Sequence, residues 1–114
     1  DTNTFSVAYT LPATPTVTVT ASSVNGYITV ASSHPTPGGG QPTVTSADVF
    51  VRLSSAHNYP DLERPVGGAG IRIAAALPPS TAWVDRACSS GIAYEYLVRS
   101  WADNGTFADS AWTA

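Results

Sequence analysis

Apolar residues recur at every second position along this chain, in one short tract after another. That spacing buries side chains on one face of a strand and on no face of a helix. Thr16-Val17-Thr18-Val19-Thr20 turns Val17 and Val19 toward a core and the threonines toward water. Tyr27 to Ala31 follows, with Ile28 and Val30 inward. Ala47, Val49, Val51 and Leu53 form one face of the next tract. Ile71-Arg72-Ile73 and the stretch Thr81 to Arg86 around Trp83 read as two further strands. In the longest tract, Gly91 to Trp101, Tyr94, Tyr96 and Val98 share one face, and Glu95, Leu97 and Arg99 share the other. Ala74-Ala75-Ala76 favours helix by composition, but Pro78-Pro79 closes it within a turn, so strand and then turn is expected there.

Turn chemistry separates these tracts. Asn25-Gly26 tolerates positive φ at both residues. Asn104-Gly105 is the strongest hairpin signal in the chain and predicts a two-residue turn between the last two strands, the second returning from Phe107 to Trp112. Residues 34–42 hold three prolines and three glycines and read as a loop. Residues 54–69 are a second irregular stretch, expected to be the most exposed and mobile part of the domain. The sum is about seven short strands with turns at the spacing of an all-β sandwich.

A length of 114 residues gives room for one domain and one core. Charged residues make up only 11%, and Thr, Ser and Ala fill the surface instead. All the basic residues are arginine, and the net charge of −3 argues against a nucleic-acid partner. No apolar stretch reaches the ~20 residues of a membrane-spanning helix. Asp1-Thr2-Asn3-Thr4 has no basic region, so no secretory leader is expected. The single cysteine, Cys88, rules out an internal disulfide and reads as a small buried hydrophobe.

No constellation for chemistry stands out. His34 and His57 sit in separate irregular stretches, read as solvated, and offer no metal-ligand spacing. Asp61 and Glu63 flank Leu62 but lack the deep cleft of a glycosidase pair. Gly38-Gly39-Gly40 lacks the lysine and hydroxyl of a phosphate loop. The reading is therefore non-catalytic, with no metal and no cofactor. Trp83, Trp101, Trp112, Tyr59 and Phe107 are candidates for sugar stacking, with Trp83 and Trp101 expected to serve packing instead. Within the long loop, Tyr59 with Asn58, Asp61 and Arg64 form the candidate binding group.

Trp83-x-Asp85, Gly91-x-x-Tyr94-x-Tyr96-x-Val98-x-Ser100, Asn104-Gly105 and Ser110-x-Trp112-Thr113 together resemble the second half of a fibronectin type III domain, an immunoglobulin-like β-sandwich. The resemblance covers residues 15–113 and is sharpest from 81 onward. Ile28 and Val30 stand where that family usually has an inward tryptophan. The resemblance implies a tyrosine corner at Tyr94, whose buried hydroxyl bonds upstream backbone.

Ala47-Asp48-Val49-Phe50-Val51-Arg52, Gly91-Ile92-Ala93-Tyr94-Glu95-Tyr96 and Ala102-Asp103-Asn104-Gly105-Thr106 further resemble the modules of tailed-phage minor tail and tail-tip proteins. That implies a structural or adhesion module in a virion tail. Its partners would be neighbouring modules or a host cell-surface glycan, and the parent assembly a homo-oligomer. Residues 1–14 would be a linker or the closing strand of a preceding module, and residues 15–114 the sandwich. The alternative is a carbohydrate-binding or spacer module of an extracellular bacterial hydrolase.

Overall fold

The computed structural model describes residues 10–22, 26–54, 64–89 and 91–114. Of the segment 1–14, only residues 10–14 fall among them. Seven strands follow in order: β1 (Thr16–Ala21), β2 (Ile28–Ser33), β3 (Val44–Leu53), β4 (Ile71–Leu77), β5 (Ala82–Asp85), β6 (Tyr94–Ala102) and β7 (Phe107–Asp109). They form a three-stranded sheet, β1-β2-β5, and a four-stranded sheet, β4-β3-β6-β7, with antiparallel pairing throughout. The fold is an all-β sandwich, as the alternation predicts.

Register follows from which side chains must be dry. β3 pairs β6 from Asp48↔Arg99 to Leu53↔Tyr94 without interruption. That register puts Ala47, Val49, Val51 and Leu53 on the same inner face as Tyr94, Tyr96 and Val98. All seven are buried, and Val51 and Tyr96 are fully so. The second sheet supplies Val30, with Val17, Val19, Ile28 and Trp83 packed partly buried against the same cluster. Each large apolar side chain fully buried here contributes about 1.5–3 kcal/mol. A one-residue slip would send the whole set to solvent, so the core fixes the register.

Three local expectations change. First, the chain continues as strand through Ala74–Leu77. Register shifts against β3 and a left-handed Ala76 (φ 56°) accommodate it, and the Ala76 N–H donates to Asp48 Oδ1 at 2.9 Å. Second, the β6–β7 turn holds three residues, not two. Ala102 N–H donates to the Thr106 carbonyl, Gly105 N–H donates back to the Ala102 carbonyl, and only Gly105 has positive φ, at 83°. Asn104 works through its side chain instead. Its Oδ1 accepts from Thr106 N–H at 3.1 Å, and its Nδ2 donates to the Thr10 carbonyl at 3.1 Å.

Third, the end of the long β3–β4 connection is stitched down rather than loose. Leu53 N–H donates to the Pro65 carbonyl, Gly67 N–H donates to the Leu53 carbonyl, and Val66 forms a parallel bridge to Leu53. Gly70 closes this stretch with φ 68°. A Cβ there would lie 2.6 Å from the Val51 carbonyl oxygen and 2.8 Å from Trp112 Cη2, so no side chain fits.

Candidate functional site

Asp85, the last residue of β5, lies between the sheets with 1% of its surface exposed. A carboxylate so placed needs donors for both oxygens. Arg64 supplies two, Nη1 to Oδ2 at 2.7 Å and Nη2 to Oδ1 at 2.9 Å. The Tyr96 hydroxyl donates to Oδ2 at 2.6 Å, and Ala87 N–H donates to Oδ1 at 3.0 Å. Burial alone would raise the Asp85 carboxyl, but the bonds from Arg64, Tyr96 and Ala87 outweigh it and hold the group below its ordinary value. Burial and the bond to Asp85 push the Tyr96 phenol well above its ordinary range.

This network corrects one candidate. Arg64 was expected to reach outward from the loop toward a ligand. It is 7% exposed, faces inward, and spends two nitrogens on Asp85 with its guanidinium 5.2 Å from the Tyr94 ring. A charged fork with a buried carboxylate to meet is drawn in, and it carries the chain around it inward. Asn58, Tyr59 and Asp61 lie outside the described residues.

Tyr94 is 4% exposed, and its hydroxyl accepts from the Ser89 N–H at 2.8 Å, five residues upstream. Trp83 is half-buried and lines a cavity of about 590 Å3 beside Arg64 and Ile73. Cys88 is half-buried, with its thiol 3.1 Å from the Gly26 carbonyl. Burial and the nearby Asp85 charge push that thiol up, away from reactivity. Among the described residues no three His, Cys, Asp or Glu side chains come together as a metal set. With every Asp85 lone pair directed at a donor, the network serves the fold, and the carboxylate has no free edge for proton transfer.

The outward face of the four-stranded sheet is different. β3 presents Asp48, Phe50 and Arg52, β6 presents Glu95, Arg99 and Trp101, and β7 presents Phe107 and Asp109. The Arg99 guanidinium lies 4.1 Å from the Phe107 ring centroid and 4.9 Å from that of Phe50, and it donates to both Asp109 oxygens. Trp101 stacks on Phe107 with centroids 5.0 Å apart and planes 17° off parallel. Its Nε1 donates to Asp48 Oδ2 at 3.0 Å. Arg52 bonds Glu95 at 2.8 Å and lies 4.1 Å from the Trp112 ring.

Planar groups thus stand packed against one another across β3, β6 and β7. Each of the arginines Arg52, Arg72 and Arg99 meets a carboxylate, so the charges of these pairs cancel. Trp101, Trp112 and Phe107 were candidates from sequence, but their partnership with Phe50 and Arg99 was not. Period-two alternation puts Asp48, Phe50 and Arg52 opposite the core face, which is the signal available. The β3–β6 register, which joins the rows, was the missing piece.

No protein-family model matches the chain, and no curated protein does. Solved structures do. A Fn3-like protein from Clostridium thermocellum matches with a TM-score of 0.64 at 19% identity, over 90% of this chain and 88% of that one. Pectate lyase PelI from Erwinia chrysanthemi, solved in complex with tetragalacturonic acid, matches with a TM-score of 0.61 at 20% identity. That match covers 89% of this chain and only 28% of the lyase. At these identities the likeness establishes the fold, and the fold is a fibronectin type III-like β-sandwich.

Proposed function

We propose that the chain is a non-catalytic structural or adhesion module of a phage tail protein, and that it packs on its partners through the outward face of the four-stranded sheet. One observation carries the reading. The Phe50–Arg99–Phe107–Trp101 stack is a set of aromatic and guanidinium planes already locked by their own contacts. Such groups are the usual anchors of protein interfaces, and locking them in advance removes the ordering cost of binding. A sugar ring stacks on a free aromatic face. Packed plates offer mainly edges, so the surface suits a sister module or a protein on the host surface better than a bare glycan.

The alternative, a carbohydrate-binding or spacer module of a secreted bacterial hydrolase, draws support from the lyase match, in which a fold like this one forms part of a longer enzyme. Cosedimentation separates the two. Wild-type chain and a Phe107→Ala variant are mixed with actinobacterial cell envelopes and with insoluble polygalacturonate. The phage-tail reading expects envelope binding that Phe107→Ala weakens at unchanged melting temperature. Binding to polygalacturonate alone favours the hydrolase reading. Envelope binding indifferent to Phe107→Ala overturns the assignment of this face.

A further inference from the structure

We propose that the His34–Ser80 contact is a pH-sensitive latch, which holds the β4–β5 turn against the start of the β2–β3 loop and opens on acidification. Two distant stretches of chain meet there, one just past β2 and one just before β5. Ser80 N–H donates to His34 Nδ1 at 2.8 Å, and His34 N–H donates to Ser80 Oγ at 3.1 Å. Ser80 is held at φ 58°, a left-handed conformation that a non-glycine residue keeps only when neighbouring contacts impose it.

The bonding fixes the tautomer. Nδ1 accepts, so the proton of the neutral ring sits on Nε2. That nitrogen is buried and has no partner among the described residues. A second proton would place an N–H at Nδ1, facing the Ser80 N–H. It could turn only to Ser80 Oγ, 3.2 Å away and already accepting from His34 N–H. The Ser80 N–H would then lose its acceptor.

No counter-charge relieves this. Residues 32–41 and 78–81, the two segments that meet at the ring, contain no Asp, Glu, Lys or Arg. Burial accordingly pushes the His34 imidazole below its ordinary 6.5. The open form binds the proton more readily than the latched form. The latch is therefore at full strength above about pH 6.5 and is lost as pH falls through the lowered value. Its end of the sandwich also carries the β6–β7 turn, since Asp103 N–H donates to the Thr43 carbonyl at the far end of the same loop.

Nitrogen and amide NMR of the intact chain tests the latch. His34 is expected as the Nε2–H tautomer at pH 8. On acidification its titration midpoint should lie below 6.5, and the Ser80 amide signal should shift and lose exchange protection with that midpoint. His34→Asn places a non-titrating oxygen near the Nδ1 position, and its Ser80 amide should stay fixed over the same range. A His34 in the Nδ1–H tautomer overturns the proposal. So does a Ser80 amide indifferent to the imidazole titration, or one that moves equally in His34→Asn.

Discussion

Arg64 and Arg99 serve the same molecule in opposite ways. Both pair bidentately with an aspartate and both lie near aromatic rings. The side chain of Arg64 is 6% exposed and that of Asp85 1%, whereas those of Arg99 and Asp109 are 28% and 36% exposed. The inner pair has given up water and depends on each added donor. The outer pair keeps its hydration and adds little stability, but it orders a surface. The same interaction is structural inside the sandwich and available for contact outside it.

Removing one half of the inner pair should have the largest effect. Asp85→Ala strands a buried guanidinium and is expected to cost about 3–5 kcal/mol in chemical denaturation. Acid should act on the same group. Because the folded Asp85 carboxyl lies below its ordinary 3.8, its contribution is full above that value and falls away as pH drops through the folded one. An acid unfolding limb unchanged in Asp85→Asn would break the contrast. Gly70→Ala comes next, on the order of 1–3 kcal/mol for a side chain forced into the left-handed region against backbone. Tyr94→Phe should cost about 1 kcal/mol, the worth of one hydrogen bond to the Ser89 N–H. Arg99→Ala should be smallest, at about 0.2–1 kcal/mol for a partly exposed pair. An Arg99→Ala effect as large as that of Asp85→Ala would erase the distinction between the two faces.

The strands were legible because alternation names an inner face without knowledge of partners. Ala47, Val49, Val51 and Leu53 needed only their spacing, and Tyr94 needed only Gly91-x-x-Tyr94. Long-range pairings were not legible. Nothing local says that Arg64 will meet Asp85, or that Arg99 will sit between Phe50 and Phe107. An arginine in a Gly- and Pro-rich stretch reads as solvated until a buried carboxylate from another strand claims it. His34 was misread for the same reason, since its acceptor role depends on Ser80, 46 residues away. The Asn104-Gly105 signal located its turn. The bulge at Gly105 lengthened it, because the Asn104 side chain bonds Thr106 N–H and Asn104 itself stays out of the left-handed region.

The central claim is that contact is made by the outward face of the four-stranded sheet while the Arg64 network stays internal. Amide and side-chain NMR of the chain, titrated with solubilised cell-envelope fragments, tests it most directly. The account predicts that perturbations gather on Phe50, Arg99, Trp101 and Phe107, with Arg64, Asp85 and Tyr96 unmoved. Perturbations centred on Arg64 to Gly70, with the outward face silent, would contradict it.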